Sequence, residues 1–506
     1  MSRRRVLALA AALLSAAPVA TATAQARPDD DPFYGVPAGI AGLADGTVID
    51  ARPVTATRFS LPIDADAWQV RFKTRDTTGA PSAYLTTVLR PRTPWTGDGP
   101  RPVLSYQMPE DGVGLRCAPS WVLTQGLRAP TNTTPDAQTV ASAVERGWTV
   151  VVPDYQGPDS AWLGADGQAR GVLDGLRAAR AFAPAGIDPR APIGLWGYSG
   201  GAIASSPAAQ LHPTHAPELP LVGVALGGNN ASIREGLRAF DGGPAGGAIV
   251  IGLIGLDRAY PQARLTSFLS ARGRAAVARS QDDCIVDAAL KHPAFRAADG
   301  LTDPGAIDRE PFTEVFRQAS PLTYPGVPAV PVYDYHATGD ELAPIAPSRE
   351  LLRRFCRAGV PVEHVEHPGE HFTEVAVGEP GALRFLAARF AGRPANSTCT
   401  VPPDPAPSAT PGARPPAVAP GRPCAPRRTF AVAVRRPARG RLVAVRATLG
   451  GRRVAVGRDR RGRSVVRVRL AGRRPGLVTL RIVARTSTGA RLVQTRTYRV
   501  CAPRRS

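Results

Sequence analysis

Ile193-Gly-Leu-Trp196 runs directly into Gly197-Tyr198-Ser199-Gly200-Gly201 and on into Ala202-Ile-Ala204. A short apolar run thus feeds a G-x-S-x-G pentapeptide that opens into a small-residue helical segment, the strand, sharp turn and helix of a nucleophile elbow. Such a turn holds its serine at a strand tip in a strained conformation, where bulky neighbours two residues away would collide; Gly197 and Gly201 meet that demand. Alone, the pentapeptide reads equally well as a Gly-Ser turn in a chain with 51 glycines. The strand before it and the helix after it give it weight.

Working outward, residues 149–152 and 221–226 are continuous apolar runs without alternation, as expected of parallel strands buried on both faces. Further strands are predicted at 68–75 and 83–90, joined by the Thr78-Gly79-Ala80-Pro81 turn, then at 102–106, 329–335 and 362–365. Helices are predicted near 118–125 and 137–146, and at 167–182, 349–357 and 380–390. Strands alternating with helices argue for an α/β fold with a doubly wound, mostly parallel sheet; with the serine elbow, the expected fold is that of an α/β-hydrolase. Residues 27–67, rich in Pro, Asp and Gly, read as an irregular arm. Between residues 229 and 321 the pattern turns helical, with an apolar, glycine-rich run from Gly246 to Leu256 near its start. That run reads as a core helix or, falling between two sheet strands at the catalytic edge, as part of a helical cap or lid.

The chain has 506 residues, enough for two or three domains. Met1-Ser-Arg-Arg-Arg5, the apolar stretch to about Ala20 and Ala24-Gln25-Ala26 have the form of a secretory signal peptide, residues 1–26. Three arginines also fit a twin-arginine pattern loosely, but plain secretion is favoured. No later stretch reaches the roughly 18 apolar residues of a membrane span. Six cysteines, Cys117, Cys284, Cys356, Cys399, Cys424 and Cys501, read as three disulfides in an exported chain, with 15 possible pairings. No Cys/His spacing suggests zinc.

The net charge of +22 is uneven. Residues 424–506 hold 24 arginines and one acid, Asp459, which leaves residues 1–423 near neutral. A Pro-rich linker is expected at 394–423, followed by a small all-β sandwich at 424–506, with short alternating runs at 429–434, 442–449, 465–470, 478–483 and 492–500. Cys424 and Cys501 bracket it. The arginines suit electrostatic association with an anionic envelope or membrane surface; specific nucleic-acid binding is not expected.

A serine hydroxyl needs a base to take its proton and an acid to hold that base. In this fold the order is Ser, acid, His, which leaves His364, His367 and His371 among seven histidines. His371, in Gly369-Glu370-His371-Phe372-Thr373, occupies the expected loop before the last helix; His364 and His367 read as packing or surface residues. Asp340, in the loop after residue 335, is the expected acid, with Asp334 inside the strand as the alternative. One oxyanion N–H is expected from Gly200, the other from the loop 107–112.

Tyr106-Gln107-Met-Pro-Glu110-Asp111, Cys117-Ala-Pro-Ser120, the Gly197 to Ala202 elbow, Gly339-Asp340-Glu341 and Gly369 to Thr373 together resemble the secretory lipase family, the lipase A type of yeasts and actinobacteria. The resemblance spans roughly residues 30–400. It implies a triacylglycerol or short-ester hydrolase with a helical cap, a catalytic domain at 27–393, Ser199, Asp340 and His371 as triad, and the N–H groups of Asp111 and Gly200 as oxyanion hole. It also implies pairing of Cys117 with Cys284 and Cys356 with Cys399, leaving Cys424 for Cys501. The Arg-rich domain departs from the family pattern. No cofactor is called for. The expected activity is secreted ester hydrolysis through an acyl-enzyme, with a lipid or other ester as substrate. An esterase acting on acylated envelope or plant polysaccharides, a serine peptidase, and a basic adhesion protein with an inert hydrolase fold are the alternatives.

Overall fold

In the computed structural model the apolar runs around the serine become the centre of one sheet. The structure describes residues 27–128, 135–396 and 399, and, further on, 429–434, 441–450, 452–458, 463–470, 476–487 and 491–500. The chain divides into two compact units at residues 404/405. Residues 1–26, expected as a signal peptide, most of the stretch 394–423 expected as a linker, Cys424 and Cys501 lie outside the described residues.

The first unit begins with β1 (Val48–Val54), a two-stranded ribbon of β2 (Thr57–Arg58) and β3 (Leu61–Pro62), and the long hairpin β4 (Ala65–Arg75) and β5 (Pro81–Pro91). Then follow β6 (Val103–Gln107), α1 (Pro119–Gln125), α2 (Asp136–Glu145), β7 (Thr149–Pro153), α3 (Ala165–Ala181), β8 (Ile193–Tyr198), α4 (Gly200–His215) and β9 (Leu221–Gly227). Helices α5 (Ile233–Phe240), α6 (Gly247–Ala259), α7 (Ala271–Ala278), α8 (Ile285–Lys291), α9 (Ala297–Gly300) and α10 (Phe312–Ala319) come next. The unit closes with β10 (Val332–Ala337), α11 (Ile345–Arg357), β11 (Val362–His367) and α12 (His371–Phe390).

The nine-stranded sheet has the order β1-β4-β5-β7-β6-β8-β9-β10-β11. Pairing is antiparallel from β1 to β7 and parallel from β7 to β11. Side-chain alternation splits its apolar residues between two layers. Val103, Val151, Ile193 and Leu195 face Leu173 and Leu176 of α3 and Leu351 and Phe355 of α11. Leu104, Val150, Trp196 and Tyr335 face Val140 of α2 and Leu383 and Leu386 of α12. This is the doubly wound α/β sheet expected, and the parallel strand tips point their loops to one edge.

Two expectations fail in this unit. The arm at 27–67 contains β1, which pairs with β4 from Val48↔Phe72 to Val54↔Ala67. At the sheet edge its residues are mostly half-buried and Pro53 is tolerated there, so neither alternation nor an apolar run marks it. The last helix begins at His371 rather than 380, because Glu370 caps it and Pro380 sits inside it.

The stretch from Gly246 to Leu256 forms α6, most of whose residues are buried. It packs with α5, α8 and α10 in an apolar cluster that also takes in Val113, Trp162 and, from α4, Ile203. The apolarity of α6 is therefore spent partly on its neighbours in the helical insertion and partly on Val113, Trp162 and Ile203 outside it.

In the second unit the strands are β12 (Thr429–Ala433), β13 (Leu442–Leu449), β14 (Arg452–Val454), β15 (Val456–Arg458), β16 (Ser464–Arg469), β17 (Gly476–Thr486) and β18 (Arg491–Val500). They form two antiparallel sheets, β12-β16-β15 and β14-β13-β17-β18, around one apolar cluster that includes Val432, Leu449, Val466, Leu480 and Ile482. The short β14 and β15 were not anticipated, since arginines interrupt their pattern. Among the described residues, no helix is long and apolar enough to cross a membrane.

Candidate active site

β8 ends at Tyr198 and α4 begins at Gly200, which leaves Ser199 alone between them at φ 53°, ψ −119°. A serine at positive φ is strained and persists only where its surroundings over-determine it. Its N–H donates to the Gly227 carbonyl at 2.8 Å, and its carbonyl accepts from Ala202 and Ile203 at 2.9 and 3.1 Å. A Cβ on Gly197 would collide with the Gly201 backbone, and one on Gly201 with the Gln107 carbonyl oxygen. The elbow and the 107–112 loop thus pack backbone to backbone.

His371 is the first residue of α12, not a loop residue as expected. The Glu370 carboxylate accepts from the N–H groups of Phe372 and Thr373 at 3.1 and 3.0 Å. Thr373 Oγ1 accepts the Glu370 N–H at 3.3 Å, completing a capping box. The Tyr198 hydroxyl donates to the His371 carbonyl at 2.5 Å, and the His371 N–H donates to Glu341 Oε2 at 3.3 Å. So held, the ring places Nε2 2.8 Å from Ser199 Oγ and Nδ1 2.7 Å from Asp340 Oδ2.

Asp340 follows β10, and its Oδ1 accepts from Leu342 and Ala343 N–H at 3.0 and 2.7 Å. Burial alone would raise its pKa, but hydrogen bonds from His336 and His371 hold it well below the usual carboxylate range. It is a carboxylate at any pH where the imidazole is neutral. His336 was not singled out from sequence. Fully buried, its Nε2 lies 2.8 Å from the Ala343 carbonyl and 3.4 Å from Asp340 Oδ2. Burial depresses its pKa, but the Asp340 hydrogen bond and the charge of Asp334 leave it raised. Its spacing, four residues before the acid at a strand mouth, was the available signal.

Asp334, the alternative acid, does not reach His371. It lies 2.8 Å from His364 Nδ1, while His364 Nε2 is 2.8 Å from Glu366, which Arg349 grips with two hydrogen bonds of 2.7 Å. The His364 side chain is only 1% exposed, so its surface reading fails and its packing reading stands. His367 pairs with Glu374 at 2.7 Å.

The loop after β6 is held from several sides. The Glu110 carbonyl accepts from Gln156 Nε2 and from the Gly112 N–H, the latter at 3.0 Å; the Asp111 carbonyl accepts from the Ile285 N–H at 2.8 Å. In a trans peptide the N–H points opposite to the preceding carbonyl, so Gln156, by fixing the Glu110 carbonyl, also fixes the direction of the Asp111 N–H. Gly200 abuts Asp111 closely enough that a Cβ on it would collide with the Asp111 carboxyl group. Burial pushes that carboxyl up to about 6, against the nearby charge of His371 and a hydrogen bond from Trp162. Beneath the loop, Tyr155 Oη accepts the Glu110 N–H at 2.8 Å. Asp154 accepts from the Ser120 N–H and Oγ at 2.8 and 2.5 Å. Burial, with the charge of Asp154, holds Glu110 well above the carboxylate range, and burial pushes Asp154 up to about 7. Glu110 stands in the Tyr106–Asp111 motif, but nothing in the sequence pairs it with Asp154 or places Gln156 on its carbonyl.

Cys117 and Cys284 form a disulfide with Cα atoms 5.7 Å apart, tying this loop to the start of α8, where Gly112 and Cys284 also form a β-bridge. Cys356 pairs with Cys399. Asp45, Asp174 and His215 gather in one cluster, in which Lys73 pairs with Asp45, Arg177 with Asp174 at 2.8 Å, and His215 with Asp174 at 2.9 Å.

A parallel sheet with a serine on a strained strand-to-helix turn, and an imidazole bridging it to a carboxylate, defines an α/β-hydrolase. A family model described as "Secretory lipase" matches residues 126–398. Lipase A of Arthroderma benhamiae is 34% identical over 391 residues, covering 74% of this chain and 81% of its own length. Lipase 6 of Candida albicans is 31% identical over 394 residues, covering 74% and 84%. The X-ray structure of Candida antarctica lipase A matches with a TM-score of 0.70 and 28% identity over 74% of this chain and 89% of that one. The chain belongs to the secretory lipase family.

Proposed function

We propose that this chain is a secreted triacylglycerol lipase or carboxylesterase that works through Ser199, His371 and Asp340. As a member of its family it is a lipase-type ester hydrolase; the named triad, secretion by way of residues 1–26, and the division into a catalytic domain at 27–393, a cap at 229–321, a linker at 394–423 and an Arg-rich domain at 424–506 belong to the proposal.

The observation that carries it is the relay Ser199 Oγ to His371 Nε2 at 2.8 Å and His371 Nδ1 to Asp340 Oδ2 at 2.7 Å. Asp340 keeps the proton on Nδ1, so Nε2 is free to accept the serine proton. Oγ then bonds to the ester carbonyl carbon, and the developing oxyanion is met by the N–H groups of Asp111 and Gly200. The second of these stands at the N-terminus of α4, where the helix dipole favours negative charge. The imidazolium returns its proton to the leaving alcohol. Water, deprotonated by His371, hydrolyses the acyl-enzyme and regenerates Ser199.

The reading of a lipid substrate is supported by the apolar character of the helical insertion. An apolar pocket there is lined by Leu237, Leu253, Leu269, Phe295, Phe312 and Phe316 among others, and it belongs to the cluster that reaches Ile203 beside the elbow. Ser199→Ala should abolish hydrolysis of p-nitrophenyl esters from butyrate to palmitate while leaving the unfolding midpoint unchanged. Near wild-type turnover in that variant would overturn the triad. A wild-type enzyme that stops at short soluble esters would replace the lipid reading with that of an esterase, and faster cleavage of peptides with that of a peptidase.

A further inference from the structure

The residues of the hydrolytic site described above belong to the first unit; in the second, the register of the strands arranges a set of arginines. We propose that the outer face of the β14-β13-β17-β18 sheet binds a flexible linear polyanion carrying a phosphate or carboxylate on each repeat.

In an antiparallel sheet, residues directly opposite one another share a face. Arg453 stands opposite Thr448, and Thr448 opposite Arg481; Arg446 stands opposite Val483, and Ala444 opposite Arg485. Arg446, Arg453, Arg481 and Arg485 are exposed. The other face of the same strands carries Ala447, Leu449, Leu480, Ile482 and Ala484 into the core. Four guanidinium groups on three adjacent strands therefore share one surface, with strands about 4.8 Å apart and same-face residues about 7 Å apart along each strand.

Like charges so close oppose folding rather than favour it. The only acid in residues 424–506 is Asp459, against 24 arginines, so this surface cannot be neutralised from within its own domain. A polyanion supplies the missing charge. Arginine suits that role because its planar fork grips phosphate or carboxylate oxygens in pairs.

Two further observations choose among anionic partners. Phe430 and Tyr498 are the only aromatic residues of this region, and they pack on each other with ring centroids 4.9 Å apart, leaving no ring on which bases could stack. The opposite sheet also carries an exposed arginine outward, Arg467 facing Ala431 in register. A planar lipid surface reaches one face at a time, whereas a flexible chain follows both.

The test uses the full chain, with fluorescein-labelled linear polyphosphate as probe and fluorescence anisotropy at rising NaCl. Log Kd should rise linearly with log salt. Replacing Arg446, Arg453, Arg481 and Arg485 together by Gln should weaken binding and lower that slope by about 3, at roughly 0.7 per lost contact. The corresponding fourfold Lys variant should keep the slope, and Arg481→Gln alone should lower it by roughly 0.7 even if the fourfold Gln variant misfolds. Hydrolysis of p-nitrophenyl butyrate should match wild type in every variant, so the hydrolase reading stands or falls separately. An unchanged slope in the Gln variants would overturn the proposal, as would binding to phosphatidylglycerol vesicles without binding to polyphosphate, or a marked preference for single-stranded oligonucleotide.

Discussion

Gln156→Leu probes how the proposed oxyanion loop is aimed without replacing Ser199, His371, Asp340, Asp111 or Gly200. Gln156 is 2% exposed, and its amide donates to the Glu110 carbonyl, the carbonyl of the peptide whose N–H belongs to Asp111. Loss of an oxyanion donor costs about 10²–10³ in kcat, or about 2.7–4 kcal/mol. Here the donor stays and only its support is removed, while the Gly112 N–H, 3.0 Å from the same carbonyl, keeps part of the orientation. A fall in kcat of about 10- to 100-fold follows, with KM nearly unchanged because the ground-state carbonyl gains little from these donors. Removing the buried amide should also cost roughly 1–3 kcal/mol of stability, so kinetics belong well below the unfolding midpoint. Steady-state hydrolysis of p-nitrophenyl butyrate gives kcat and KM, and a trifluoromethyl ketone that mimics the tetrahedral adduct should bind more weakly by the same factor as kcat/KM falls. A folded variant with unchanged kcat, or one in which only KM rises, would refute the reasoning.

Asp340→Asn should lower kcat by about 10³–10⁴-fold with little change in KM, because the amide cannot hold the Nδ1–H tautomer; stopped-flow acylation measures it, and loss below tenfold contradicts the assignment. Asp136 tests the buried acids. Its carboxyl is pushed up to about 7 by burial, although the Tyr106 hydroxyl donates to it at 2.6 Å and partly offsets the rise. Between about pH 4 and 7 the folded chain keeps a proton there that the unfolded chain has released, so stability falls as pH rises through that window, by on the order of 4 kcal/mol. Asp136→Asn removes this dependence. In urea unfolding the stability of the variant minus that of wild type should rise from pH 5 to pH 8, and a difference that stays flat or falls would contradict the burial argument.

Much of the candidate site's geometry was legible because its residues lie in short contiguous segments. The elbow is one run of residues, and Asp340 and His371 each sit just beyond a predicted strand, in the order the fold demands. What escaped is what folding brings together from afar. Gln156 reaches Glu110 across 46 positions, and His336 meets Asp340 only because β10 ends where it does. β1 was hidden by its place at the sheet edge, where half-burial imposes no period. The start of α12 was hidden by Pro380, which reads as a helix boundary although Glu370 and Thr373 had already nucleated the turn that presents His371.

The central claim is that Ser199 is the nucleophile. Treating the folded protein with diethyl p-nitrophenyl phosphate and mapping the adduct by tandem mass spectrometry tests it most directly. The account predicts one diethylphosphoryl group per chain, on Ser199, with ester hydrolysis lost in proportion to labelling. A label on any other residue, or hydrolysis that persists after Ser199 is fully modified, would contradict it.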